Sequence, residues 1–174
     1  MARVNLNQLL TEVTDLYRAQ ATGRGVALKV SLDPSLSSVS ADPGRLRQLL
    51  HNLLTNAVEA LEGQPGGEIS VTTRLGARGA EEVAEISVED NGPGFQRELI
   101  GQIFDPYVTT KARGTGLGLA IVRKIVEEHG GHVEADKRAQ GGARVRIELP
   151  LNESKQGQAS QRDARRPEPR RERA

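Results

Sequence analysis

The chain has no cysteine and no tryptophan, and its only aromatic residues are two phenylalanines and two tyrosines among 174 positions. Without cysteine there is no disulfide framework and no thiolate metal site. So few rings cannot build a surface on which nucleic-acid bases stack. No apolar run approaches the ~18 residues of a membrane span, and the N-terminus lacks the apolar core of a signal peptide. Charge does not lean one way either. The net formal charge is +1, yet residues 152–174 hold seven Lys/Arg against four Asp/Glu, so the preceding part carries −2. That balance gives no support for a nucleic-acid footprint on the folded part, and no nucleic-acid partner is expected. The expectation is a soluble, cytoplasmic protein or fragment with no direct membrane insertion. One domain spans residues 4–151, and a tail rich in Arg, Gln, Ser and Pro (152–174), with almost nothing to bury, is expected to be disordered.

Against these absences, glycine is plentiful, and its placement is telling. The stretch Phe104 to Leu119, FDPYVTTKARGTGLGL, sets Gly114, Gly116 and Gly118 at alternate positions where an apolar helical run opens. Glycine lets backbone approach a ligand closely, and a helix start leaves N–H groups that favour a phosphate. Thr109, Thr110 and Lys111 stand just before. No lysine follows the glycines as a P-loop requires, and the sixth position from Gly114 is Leu119, which breaks a dinucleotide fingerprint. The pattern reads as a lid that closes over a triphosphate.

In chain order, Val4 to Ala21 carries apolar residues at helical spacing, and Val26, Leu28, Val30 and Leu32 alternate as in a half-buried strand. A short strand is expected around Val39. Asp42-Pro43 starts a second helix, with aspartate as N-cap and proline at the first helical position. Leu46, Leu49, Leu50, Leu53, Leu54, Ala57, Val58 and Leu61 form its apolar face. Asn52 and Asn56 lie together at the rim of that face, with Glu59 beyond. Mid-helix asparagine costs helix propensity, and a neutral oxygen ligand for a hard cation such as Mg²⁺ is a reason to keep it. Strands are expected over Glu68 to Leu75 and Val83 to Glu89, with a hairpin loop from Gly76 to Glu82. Asp90-Asn91-Gly92-Pro93-Gly94 then reads as a turn, or as a carboxylate that accepts from an adenine amine beside glycines that make room for the ring. Phe95 to Arg113 holds at most one short helix, Arg97 to Phe104. A helix follows over Thr115 to His129, and the last two strands are His132 to Asp136 and Ala143 to Leu149.

Together these stretches resemble the ATP-binding domain of sensor histidine kinases, in the Bergerat-type ATPase/kinase superfamily. NLLTNAVEA from Asn52 looks like the N box, DNGPG from Asp90 the G1 box, Phe104 to Tyr107 the F box, and GTGLGL from Gly114 the G2 box. The wording IFDPYVTTKARGTGLGLAIVRKIVEEHGG is especially similar to nitrogen-regulation sensor kinases of the NtrY and NtrB kind. The resemblance implies an α+β, two-layer sandwich with a mixed, mostly antiparallel sheet, helices on one face and an ATP lid. It implies ATP and Mg²⁺ as cofactors. Asn56 would coordinate the metal and Asn52 would support the metal or phosphate site. Asp90 would bind the adenine amine, with Gly92 and Gly94 giving the ring room. Tyr107, Thr109, Thr110, Lys111, Gly114, Thr115, Gly116, Leu117 and Gly118 would supply lid contacts to the nucleotide, with Lys111 approaching the phosphates and Phe104 and Tyr107 anchoring the lid against the body.

Two departures from the family pattern stand out. The family's phospho-accepting histidine lies on an upstream dimerisation domain, and none of His51, His129 and His132 has its sequence context. The chain therefore looks like the catalytic half of a longer kinase, whose partners would be that dimerisation/histidine phosphotransfer domain and a response regulator. Where the family often has threonine, touching the lid, this chain has Ala143. Relatives that hydrolyse ATP, such as gyrase, Hsp90 and mismatch-repair proteins, carry a water-orienting glutamate one turn before the metal asparagine; here that position is Asn52, which favours phosphoryl transfer. A degenerate, ATP-binding regulator is the third reading, and intact Asn56, Asp90 and lid glycines weigh against it.

Overall fold

The structure, a computed structural model, describes residues 1–108 and 116–151. The expected lid residues Thr109, Thr110, Lys111, Gly114 and Thr115, and the expected tail, lie outside the described residues. In chain order the elements are β1 (Ala2–Val4), α1 (Leu6–Gly23), β2 (Ala27–Ser31), β3 (Val39–Ala41), α2 (Pro43–Ala60), β4 (Glu68–Arg78), β5 (Glu81–Asp90), α3 (Gly118–Glu128), β6 (His132–Lys137) and β7 (Ala143–Pro150). Five strands form one sheet in the order β2-β4-β5-β7-β6, and β1 pairs with β3 in a separate two-stranded ribbon. Only β2–β4 is parallel; the other pairs are antiparallel. The architecture is the expected two-layer α+β sandwich with a mixed sheet.

Period-2 alternation explains the layering. In β5, Ala84, Ile86 and Val88 are buried while Glu85, Ser87 and Glu89 are half-exposed. The buried row of the sheet meets the helices, and the opposite face is polar. Cross-strand ion pairs lace that polar face: Lys29–Glu68 at 2.9 Å, Arg74–Glu85 at 2.6 Å, Arg144–Asp136 at 2.5 Å and Arg146–Glu134. The Asp136 carboxylate, bonded to the Arg144 guanidinium, raises the arginine's already high pKa.

Helix α2 is the centre of the helical layer. Its Leu46, Leu49, Leu50, Leu53, Leu54, Ala57 and Val58 are all buried, at about 1.5–3 kcal/mol for each large side chain taken out of water. That gain far exceeds the few tenths of a kcal/mol that Asn52 and Asn56 each cost in propensity, so packing decides that this segment is helical. Asp42 caps it, Oδ1 accepting from the Gly44 N–H at 2.9 Å and the Arg45 N–H at 3.1 Å. The far end of α3 is fastened to this cap. His129 Nε2 accepts from the Asp42 N–H at 3.0 Å while Nδ1 donates to the Ile125 carbonyl at 2.7 Å. Arg45 donates to both carboxylate oxygens of Glu128, at 3.0 and 2.7 Å from Nη2, which lowers the Glu128 pKa.

The capping bonds, that from the Arg45 N–H first, lower the Asp42 pKa below its usual value. A carboxylate depressed in the folded state stabilises it above the unfolded pKa and loses that contribution as pH falls through the folded one. Asp42→Ala is therefore expected to lower the melting temperature at neutral pH. The gap to the parent chain should narrow as the pH falls below the usual aspartate range and the folded carboxylate is protonated. Melting curves across pH check this, and a gap independent of pH would remove the charged cap as its cause.

Several boundaries differ from expectation. Strand β1 was not anticipated, because three residues give no periodicity, and helix α1 runs on to Gly23. The expected hairpin loop from Gly76 to Glu82 is mostly strand: Gly76 pairs with Val83 and Arg78 with Glu81, leaving Gly79-Ala80 as the turn. Backbone pairing there needs no apolar side chain, so a Gly-rich, charged sequence conceals it. The short helix expected over Arg97 to Phe104 is instead a series of single turns, closed by Leu99 N–H to Gln96 O, Gln102 N–H to Leu99 O and Asp105 N–H to Gln102 O. Gly101 lies at its middle and offers no side chain to pack. Among the described residues, no helix is long and apolar enough to cross a membrane.

Candidate functional site

The alternation that buries Val88 places Asp90 on the same inner face, two residues on, at the very end of β5. Its side chain is 4% exposed. The carboxylate oxygen Oδ1 accepts from the Gly92 N–H at 2.9 Å and the Ala143 N–H at 3.4 Å. Beside it opens a pocket of about 270 Å³. Its polar lining comes from Asn56 and Glu59 on α2, from Asp90, and from Gln96; Phe95, Leu99, Ile103 and Leu119 supply much of the apolar wall. A mostly apolar cavity lined by a buried acid and by an amide-bearing helix suits a heteroaromatic ring with a polar tail.

The loop after Asp90 is pinned from below. Asn91 Oδ1 accepts from the Glu68 N–H at 2.7 Å, and its Nδ2 donates to the Gly66 carbonyl at 3.0 Å. Gln64 Nε2 donates to the Asn91 carbonyl at 2.8 Å. Gly92 lies so close to α2 that a Cβ would sit 3.0 Å from the Ala60 carbonyl oxygen. Gly94 has φ +79° and lines the pocket. Gly92 itself holds the Asp90 carboxylate through its N–H rather than lining the cavity.

Asn56 and Asn52 are placed differently from each other. Asn56 lines the pocket one turn before Ala60. Asn52 does not line it, yet its Nδ2 is buried without a hydrogen-bond partner among the described residues, an arrangement that costs free energy unless something fills it. Among the described residues no group of three or more acidic, histidine or cysteine side chains could hold a metal by itself. The donor set fits an ion such as Mg²⁺ that takes few protein oxygens and brings its own phosphates and waters.

At the two ends of the expected lid, the Tyr107 N–H donates to the Gly116 carbonyl at 3.0 Å. Tyr107 has φ +67° and Gly116 φ +70°. A Cβ on Gly116 would lie 2.5 Å from the Tyr107 carbonyl carbon, so only glycine fits. Asp105 and Arg123 pair at 3.2 Å, fastening the same segment to α3. Phe104 packs against the core as expected. Tyr107 does not: its ring is 77% exposed, because the left-handed backbone needed to meet Gly116 turns it outward, and only its main chain takes part in the anchor. Leu117 precedes α3 and Gly118 is its first residue, three positions later than the expected start at Thr115. Ala143, which stands where the family often has a threonine, donates its N–H to Asp90 and lines the pocket.

Of the residues the sequence singled out, Asn56, Asp90 and Gly94 meet at one cavity. Sequence reasoning missed the wall residues Phe95, Leu99 and Ile103, Asn91 as a clamp, and the Gly141-Gly142 pair beneath Asp90. The double glycine just before an alternating strand was the one available signal for the last of these.

Residues 41–153 match the family described as Histidine kinase-, DNA gyrase B-, and HSP90-like ATPase. The sensor histidine kinase ZraS of Escherichia coli K12 is 41% identical over 149 residues, 86% of this chain and 31% of that protein. The sensory histidine kinase/phosphatase NtrB of Rhizobium leguminosarum is 41% identical over 145 residues, 78% of this chain and 38% of that protein. The chain thus spans about a third of the length of these curated relatives. Among solved structures, the catalytic domain of histidine kinase ThkA superposes with a TM-score of 0.76 at 35% identity, covering 86% of this chain and 95% of that one. The pocket, the boxes around it and this likeness agree: the chain belongs to the histidine kinase-, gyrase B- and HSP90-like ATPase family, as a catalytic ATP-binding domain of the sensor histidine kinase kind.

Proposed function

We propose that this chain binds ATP with Mg²⁺ and passes the γ-phosphoryl group to a histidine on a separate dimerisation domain of its parent sensor kinase. The observation that carries this is one pocket lined by both the buried Asp90 and Asn56. Asp90 would accept from the adenine amine, and Asn56, supported by Asn52, would hold the Mg²⁺ ion. When bound, the ion neutralises charge on the phosphates as transfer proceeds. The chain's own contribution is positioning. An imidazole nitrogen of the partner attacks the γ-phosphorus, the bond to the β,γ-bridging oxygen breaks, ADP leaves and the imidazole proton passes to solvent. Lys111, which lies outside the described residues, would approach the phosphates, as the family resemblance implies. Asn52, in place of a water-orienting carboxylate one turn before Asn56, supports transfer over hydrolysis. Each of the three histidines has a partner within the chain, His51 the Tyr17 hydroxyl at 3.0 Å, His129 the α2 cap and His132 the Glu134 carboxylate at 4.0 Å, which supports an acceptor on another domain. A ThkA kinase has been solved in complex with the response regulator TrrA; by analogy the phosphoryl group goes on from the histidine to a response regulator.

The test mixes this chain, γ-labelled ATP and the histidine-bearing domain of its parent. Acid-labile, base-stable label is expected on the partner and none on this chain. Asn56→Ala is expected to cut the labelling rate by roughly 10²-fold, as for loss of one preorganised charge-stabilising group, and to remove the Mg²⁺ dependence of ATP affinity. Free phosphate released without any label on an associated partner would place the chain with the hydrolases instead.

A further inference from the structure

We propose that Arg138, in the turn between β6 and β7, is a positioning residue for adenine selectivity, holding Asp90 at the angle from which its carboxylate reads the base. The proposal rests on the reading of Asp90 as the group that accepts from the adenine amine.

Strand pairing explains why Asp90 needs such help. The β5–β7 ladder ends at Glu89↔Arg144, so the Asp90 carbonyl lies beyond the last residue pair with β7. Arg138 Nη1 donates to that carbonyl at 3.1 Å. Its Nε meets the Glu89 carboxylate at 3.1 Å, both side chains being about three-quarters buried (26% and 27% exposed). One planar guanidinium therefore grips two successive residues of β5, which a flexible ammonium cannot do with the same geometry. Successive side chains on a strand point to opposite faces. The grip on Glu89 and on the Asp90 main chain is made outside the pocket, while the Asp90 carboxylate hangs inside it. Rotation of the Asp90 backbone would swing that carboxylate, and Arg138 opposes the rotation.

The arginine is itself based on a closed turn: its N–H donates to Gly142 O at 2.9 Å, and its carbonyl accepts from the Gly141 N–H at 3.1 Å. The other two ties from this turn to Asp90, the Ala143 N–H and the packing of Gly142, are made by backbone. Arg138 is the tie that side-chain chemistry supplies.

The experiment compares ATP with inosine triphosphate, which carries the same ribose and phosphates but no exocyclic amine, by calorimetry on the full chain with Mg²⁺. In the parent chain ATP should bind more tightly. Arg138→Ala should weaken ATP by about three- to tenfold, the worth of one hydrogen bond, and leave inosine triphosphate unchanged, so that selectivity falls. Arg138→Lys, which reaches one acceptor at a time, should recover part of it and guards against a folding defect in the alanine variant. Equal loss for both nucleotides in Arg138→Ala, or full selectivity in both variants, overturns the proposal. If the parent shows no preference, or Asp90→Asn keeps it, the reading of Asp90 fails instead.

Discussion

Asp90→Asn is expected to weaken ATP binding by roughly 10- to 100-fold, the range for losing a hydrogen bond to a charged group, in a chain that stays folded. The substitution changes almost no volume. The asparagine Oδ1 can still accept from the Gly92 and Ala143 N–H groups, which hold Oδ1 of the aspartate at 2.9 and 3.4 Å. With that oxygen committed, the rest of the side chain becomes an N–H₂ donor. It then faces the adenine amine, another donor, at a residue that is only 4% exposed. A donor left unpaired in that setting costs more than the lost bond alone. Affinity for ATP, ADP and adenosine should fall by similar factors, since all share the base. Calorimetry with the three ligands tests this, alongside a melting curve to show that the fold survives. Loss confined to ATP would move Asp90 from the base to the phosphate end.

How far the sequence discloses this site depends on the range over which each residue acts. Helix α2 was legible at its start and along its face, because Asp42-Pro43 and the leucine spacing are local signals and burial reinforces them. Asp90 was legible because a strand period and the DNGPG turn meet at it. Asn56 was legible because a mid-helix amide conflicts with propensity. What was not legible acts by backbone contact across long stretches of chain. Asn91 reads as one more turn residue until its bonds to Gly66 and Glu68 are seen. Arg138 reads as one more surface charge, 48 residues from the carbonyl it supports. Phe95, Leu99 and Ile103 recur at every fourth position, a helical spacing, yet their segment is a run of turns, and nothing in that spacing marks them as the lining of a pocket. The exposed Tyr107 ring shows the converse: a motif position can serve through its main chain alone.

Gly142→Ala should destabilise the fold by about 3–5 kcal/mol and abolish most ATP binding, whereas Gly141→Ala, one residue away, should cost only about 1–3 kcal/mol. Both glycines have positive φ, +90° and +100°, so alanine is strained at either position. Their surroundings differ. A Cβ on Gly141 would meet nothing within 4 Å. A Cβ on Gly142 would fall on the Asp90 carbonyl, well inside any contact distance, and 2.9 Å from the Asn91 Cα. Both of those are main-chain atoms at the end of β5, with no flexible side chain to give way. The Asp90 peptide is held from one side by β4 and from the other by Arg138, so relief must come from displacing the turn between β6 and β7. That displacement withdraws the Ala143 N–H from Oδ1 and the guanidinium from the carbonyl together, and the carboxylate loses its orientation. The pair of variants separates backbone strain, common to both, from the contact that only Gly142 makes. Thermal or urea unfolding gives the first quantity and ATP titration the second. Equal losses of stability in the two variants, with ATP affinity kept in both, would show that Asp90 does not depend on this turn.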